Sequence, residues 1–280
     1  MAKKIWLVGI GMGNRDTLTI GAWNILKNCD CLIGAQRMLD AFPELTCRRF
    51  AATAPEKIAA YLQEHPEFQT IGVVFSGDVG FYSGAKKLRS LFPEHLIEEC
   101  CGISTVAYLC AKLHTPWEDV RLVSAHGQAC NLAGEVRTHE KVFVLAGKVS
   151  AQEMCKALCR AGLGGVTVSV GERLSYPGEA ITTGPAERLS GQTFDPLSAL
   201  LIQNPAPLSN DTLAFGLPDE RFIRGNTPMT KSEVRCISLS RLRLQRESIA
   251  WDIGAGTGSV SIEMALQAVR GMVYAVEKDA

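Results

Sequence analysis

The sequence predicts an α/β protein with a mostly parallel sheet, followed by a second, smaller α/β unit. Three features carry this expectation. Short apolar runs recur along the chain and several end in glycine, as strands buried on both faces do. Segments with apolar residues at helical spacing separate those runs. Residues 203–227 are rich in proline, asparagine and glycine, the composition of a linker, and beyond them the alternation starts afresh.

Taken in order, KIWLVG (4–9) is the first strand, and the turn GMGNRD follows it. Leu18, Ala22, Ile25 and Leu26 then form one helical face, with Asp16 as its expected cap. CLIG (31–34) and TIGVVF (70–75) are strands, and a helix is expected from Gly84 to Phe92. Strands at 96–100 and 120–125 are expected to complete this first layer. KVFVLAG (141–147) opens a second layer. Ser150 and Glu153 form a capping box ahead of Met154, Ala157, Leu158 and Ala161, and Gly162, Gly164 and Gly165 end that helix. VTVSV (166–170) and LSALLI (197–202) are the remaining apolar runs.

The expected division is a domain over 1–204 (subdomains meeting near 125), a linker over 205–227 and a unit over 228–280. In that last unit Thr230 and Glu233 suggest a capping box for a helix reaching Leu242. IAWDIG (249–254), a helix over GTGSVSIEMALQA and MVYAVE (272–277) follow. So few elements cannot cover both faces of a sheet, so apolar surface should stay exposed.

The chain has 280 residues, 46% hydrophobic and 21% charged, with 29 basic against 29 acidic side chains. A balanced charge draws it neither to nucleic acid nor to a membrane surface. No apolar run approaches the roughly 18–20 residues of a bilayer span, and a cytoplasmic location is expected. The ten cysteines are scattered without zinc spacing, so buried free thiols and no metal are expected.

Glycine-rich turns carry the chemistry. Asp252-Ile-Gly254-Ala-Gly256-Thr-Gly258-Ser259 lies between a strand and a helix, where glycines let a ligand approach a helix start. The dinucleotide pattern G-x-G-x-x-G would need glycine at 259. The segment instead resembles motif I of the class I methyltransferases, which implies that Glu277, at the next strand end, meets a cofactor ribose. Three further turns follow expected strands: Gly9-Ile-Gly11-Met-Gly13-Asn14, Ser76-Gly77-Asp78-Val79-Gly80, and Gly102-Ile-Ser104-Thr105. They should converge at one carboxyl edge of the sheet, where such folds bind ligands.

With these loops the chain resembles the tetrapyrrole methylase family, whose members carry a G-x-G-x-G first loop, an S-G-D-P-G-type loop and a P-G-I-S-S-type turn. Within it, the chain is most similar to the C5-methylating precorrin branch joined to a C15-methylating, decarboxylating domain. Ser124-Ala-His126-Gly127, Gly171-Glu-Arg-Leu-Ser175 and the segment from Pro228 to Arg235 add to the likeness.

The resemblance implies a tetrapyrrole methylase fold, two α/β layers with the active site in the cleft between them, followed by a partial Rossmann-like class I methyltransferase unit. It implies S-adenosyl-L-methionine as cofactor, held by Gly9, Gly11, Gly13, Gly77, Asp78, Gly80, Ser104 and Thr105. A second cofactor loop would comprise Asp252, Gly254, Gly256, Gly258 and Glu277. It also implies a homodimer and a polycarboxylate tetrapyrrole substrate, a precorrin or cobalt-precorrin.

Arg37, Lys86, Arg121, Arg173, Lys231 and Arg235 are candidates for the substrate's carboxylates. His126 is a candidate for substrate contact or proton handling. Two departures stand out: Val79 and Cys101 replace prolines usual in the family, which should loosen the loops. Methyl transfer from a sulfonium needs alignment more than acid–base groups, which suits a sequence without a nucleophile triad. The second unit, lacking a substrate-facing remainder, is expected to bind cofactor poorly and to lack the C15 and decarboxylation activities. Two other readings are an NAD(P)-linked enzyme, disfavoured by Asn14 and Ser259, and a terminal unit serving only for interaction or dimerisation.

Overall fold

The structure, a computed structural model, describes residues 3–93, 95–124, 131–208, 216–223 and 227–278. The first layer is a five-stranded sheet of β1 (Lys4–Gly9), β2 (Cys31–Gly34), β3 (Arg48–Ala51), β4 (Thr70–Phe75) and β5 (Leu96–Cys100), in the order β3-β2-β4-β1-β5 and parallel throughout. Its central strands are apolar on both faces. Ile5, Leu7, Ile71 and Val73 pack on one side with Ile58 of α3 (Pro55–Glu64) and Leu88 of α4 (Ala85–Leu91). Val8 and Val74 pack on the other with Ala22 and Leu26 of α1 (Ile20–Leu26) and Leu39 of α2 (Gln36–Leu39). Because β1 lies between β4 and β5, the loops leaving these three strands are neighbours.

Thr19, not Asp16, caps α1: its hydroxyl accepts from the Ala22 N–H. Asn14 caps the short turn at 15–17, so the chain reaches α1 later than expected.

The second layer contains β6 (Arg121–Ser124), β7 (Lys141–Leu145), β8 (Thr167–Glu172), β9 (Ala180–Pro185) and β10 (Ser198–Gln203), ordered β6-β7-β10-β8-β9. Two expectations are corrected here. β6, assigned to the first layer, pairs with β7. Only that pair is parallel; the other three pairings are antiparallel. Alternate residues face opposite cores. Val142, Val144, Leu200 and Ile202 meet Val136 of α6 (Leu132–Thr138), Leu158 of α7 (Ala151–Arg160) and Leu189 of α8 (Ala186–Leu189). Phe143, Ala199 and Leu201 turn the other way, onto Met12 and Val106 and Leu109 of α5 (Thr105–Lys112). That shared cluster joins the layers. At α7 the Ser150 hydroxyl accepts from Glu153 N–H as expected, while the Glu153 carboxylate pairs with Lys156 instead of closing the box.

The last unit comprises α9 (Ser232–Leu242), β11 (Ile249–Ile253), α10 (Ser259–Gln267) and β12 (Met272–Val276), with β11 and β12 parallel. Lys231 occupies the cap position of α9 without a side-chain bond, and Arg235 takes the Thr230 carbonyl, so the expected Thr230–Glu233 box does not form. One face of the two strands is open as expected: Ile249 is 71% exposed, Trp251 63% and Ile253 72%. The unit rests on α6 through Asn131, which donates to the Gly271 carbonyl at 3.0 Å, and through an Arg270–Glu135 ion pair at 3.2 Å.

Burial pushes the Cys29 thiol up to about 12 and those of Cys31 and Cys155 to about 11, so these stay protonated core groups. No helix among the described residues is long and apolar enough to cross a membrane.

Candidate active site

Three loops leave β1, β4 and β5 and lock together. Gly11 and Gly77 exchange backbone hydrogen bonds of 3.1 and 2.6 Å, both at positive φ (67° and 74°) that favours glycine. Gly102 packs flat against them: an added Cβ would overlap the Gly77 carbonyl oxygen and lie 2.6 Å from that of Gly9. Asp78 clamps the assembly. One carboxylate oxygen accepts from Gly80 N–H at 2.8 Å and the other from Gly102 N–H at 2.9 Å. Val79, which stands where proline is usual, is 4% exposed in the first core. Burial anchors the loop there that a ring would have stiffened.

Between the layers, beside these loops, lies a cavity of about 420 Å³. Met12, Phe75, Ser76 and Thr105 line it from the first layer, and Leu145, Ala146, Gly171, Leu174 and Ser198 from the second. Its size falls in the range of about 300–1,000 Å³ typical of small-molecule sites. The walls are chiefly apolar, and the buried Ser198 hydroxyl meets no hydrogen-bond partner among the described residues. Such a group is satisfied by a ligand or water. A cofactor with an apolar ring and polar edges therefore fits this space.

At the mouth, Arg37 donates through Nη1 to the Tyr176 hydroxyl at 2.7 Å, and Asn14 donates to the Ser175 carbonyl at 3.0 Å. Glu179 holds the same loop from below, accepting from Tyr108 at 2.7 Å and pairing with Lys112 at 2.8 Å. Burial alone would raise its carboxyl, but hydrogen bonds from Lys112, the Ser175 N–H and Tyr108 hold it below the usual range. A depressed carboxyl stabilises the fold above its unfolded pKa and loses that contribution as pH falls. Wild type should therefore exceed Glu179→Gln in thermal stability at neutral pH. The gap should close below about pH 4, read by melting curves across pH.

The expected site residues divide. Gly9, Gly11, Gly13, Gly77, Asp78, Gly80 and Ser104 build the loop junction, where Ser104 also caps α5 through Ala107 N–H. Thr105 and Arg37 line the cavity itself. Lys86 and Arg173 do not line it, and neither does Arg121, which forms a two-point pair with Glu135. His126 lies outside the described residues.

Arg235 is the clearest correction: it is fully buried and donates to Glu263, Asp219, Leu217 O and Thr230 O, leaving it turned away from any substrate. Burial opposes its charge, but the Glu263 and Asp219 bonds outweigh that and hold its pKa above the ordinary value. Lys231 stands 3.7 Å from the same Asp219. Gly254, Gly256 and Gly258 all have positive φ, and the Glu277 carboxylate accepts from Gly256 N–H at 2.6 Å while Asp252 accepts from Ser261. Sequence reasoning missed Tyr176 and Ser198. Tyr176 directly follows the Gly171–Ser175 stretch already singled out, whereas nothing local marks Ser198.

Comparison with known proteins bears on this arrangement. The sequence matches the tetrapyrrole (corrin/porphyrin) methylases over residues 4–190 and a precorrin methyltransferase domain over residues 221–280. A probable cobalt-precorrin-7 C(5)-methyltransferase of Methanocaldococcus jannaschii is 28% identical over 207 residues, 71% of this chain and 97% of that one. The precorrin-6Y C(5,15)-methyltransferase (decarboxylating) of a Sinorhizobium species is 26% identical over 274 residues, 93% of this chain. The chain spans only 65% of that relative's length. A Thermus thermophilus uroporphyrin-III C-methyltransferase, solved with S-adenosylhomocysteine, shares the fold with a TM-score of 0.61 at 17% identity, over 71% of this chain and 92% of its own. The chain belongs to the tetrapyrrole methylase family.

Proposed function

We propose that residues 4–203 transfer a methyl group from S-adenosylmethionine to C5 of a precorrin, in the cleft between the layers. The observation that carries this reading is the junction of three glycine loops beside a cavity of about 420 Å³ shared by both layers. The cofactor supplies an electrophilic methyl on a sulfonium, whose departure as a neutral thioether asks for no general acid. The protein's part is to hold and align. Thr105 and Ser198 offer hydroxyls into an otherwise apolar space, and the Asp78 clamp fixes the loop edge against which a ligand rests.

Residues 228–280 are proposed as the opening of a class I methyltransferase unit, with the glycines at 254, 256 and 258 as its cofactor loop. The precorrin methyltransferase match over 221–280 and the name of the Sinorhizobium relative support C15 methylation and decarboxylation as the whole protein's second activity. The domain limits of 1–204, 205–227 and 228–280, a homodimer and a cytoplasmic location belong to the same proposal.

Calorimetric titration of S-adenosylhomocysteine and of NAD⁺ into the full chain tests the cofactor assignment. S-adenosylhomocysteine should bind, and Asp78→Ala should weaken it about tenfold or more, since two bonds to a charged group are lost. Binding of NAD⁺ alone would overturn the reading.

A further inference from the structure

We propose that Arg37 and Tyr176 together form a receptor for one substrate carboxylate at the mouth of the cleft, with Tyr176 positioning the guanidinium. The proposal rests on the methylase reading above. Arg37 comes from the first layer and Tyr176 from the second, and both line the cavity. Their single bond, Nη1 to Oη at 2.7 Å, uses one of the five Arg37 donors. No carboxylate of the described residues pairs with Arg37, and the Tyr176 hydroxyl proton has no protein acceptor among them. A cation without a counter-ion and a phenol with an unspent proton thus stand side by side at the entrance.

Tyr176 is held there at a cost. Arg173 and Ser175, just before it, are non-glycine residues at φ 47° and 72°, a region costing roughly 1–2 kcal/mol per residue. Such strain persists only where surroundings over-determine it. They do: Tyr176 N–H donates to Arg173 O at 2.8 Å, Asn14 ties Ser175 to the first loop, and Glu179 grips Ser175 N–H. Gly13 completes the seat, because an added Cβ there would overlap the Tyr176 hydroxyl. With no substrate the Arg37–Tyr176 bond links the layers. A carboxylate entering the mouth accepts from the remaining guanidinium donors and from the Tyr176 hydroxyl, with no loop displaced.

Fluorescence titration of the full chain with uroporphyrin I tests this. A water-soluble tetrakis(N-methylpyridinium)porphyrin is the comparison: its macrocycle carries no carboxylate. Wild type should bind the carboxylate ring and discriminate against the cationic one. Arg37→Gln should weaken uroporphyrin binding about tenfold or more, Arg37→Lys less, and Tyr176→Phe about threefold, as a charged and a neutral hydrogen bond differ. In each variant the preference for the carboxylate ring over the cationic one should shrink by the same factor, a readout that a merely structural role for either residue would not move, since it would weaken both rings alike. Uroporphyrin binding unchanged in Arg37→Gln, or no preference for the carboxylate ring in wild type, would overturn the receptor. Loss of S-adenosylhomocysteine binding in wild type would instead strike at the methylase reading.

Discussion

Gly102→Ala should be among the most damaging single changes in the first domain. Its methyl group would overlap the Gly77 carbonyl oxygen and sit 2.6 Å from Gly9 O and 2.7 Å from Gly9 C, all backbone atoms of a locked junction. A crowded side chain can swing aside, whereas these carbonyls cannot move without breaking the Gly11–Gly77 pair or the Asp78 clamp. Overpacking costs typically about 1–3 kcal/mol, and the rigid surroundings place this case near the top of that range. The melting temperature should fall by roughly 5–10 °C. S-adenosylhomocysteine affinity should fall with it, because the displaced loops form the cavity edge. Gly165→Ala is the control, since nothing lies within 4 Å of a Cβ there. Equal behaviour of the two variants would refute the junction.

Arg235→Met should unfasten the last unit while sparing the first domain. Glu263 is 2% exposed and Asp219 12%, so removing the guanidinium takes the 2.7 Å ion pair from the enclosed Glu263 and leaves Asp219 with the longer 3.7 Å approach of Lys231. Breaking one side of a buried ion cluster costs about 3–5 kcal/mol. Arg235→Lys should recover little, because one ammonium cannot reproduce donations to Glu263, Asp219, Leu217 O and Thr230 O. Hydrogen exchange should accelerate across α9 and α10, with the strands of the first sheet unchanged. Unchanged protection in α9 would show that the cluster is dispensable.

How much of this was legible in the sequence depended on what each residue is forced by. β1 and β4 could be read because strands buried on both faces are continuously apolar. β3 (RRFA) and β9 (AITTGP) could not, since both lie at sheet edges and carry polar residues. β6 was readable as a strand but not as a member of the second sheet, because a local pattern does not name its partner. The glycine loops were legible, because the close backbone approach at Gly9 and Gly102 and the positive φ at Gly11 and Gly77 both favour glycine. Arg235 was misread because its partners Asp219 and Leu217 lie in a stretch with linker composition, which gave no sign of enclosing a cation. The reach of Tyr176 to Arg37 spans 139 positions, beyond any spacing argument.

The most direct measurement of the central claim is methyl transfer itself. The full chain would be incubated with S-adenosylmethionine labelled with ¹³C in its methyl group, and with either precorrin-6Y or cobalt-precorrin-7, and the products read by carbon NMR and mass. A labelled methyl at C5, diminished in Asp78→Ala, is the result expected here. Absence of label at C5 with both substrates, while S-adenosylhomocysteine still binds, would contradict the assignment.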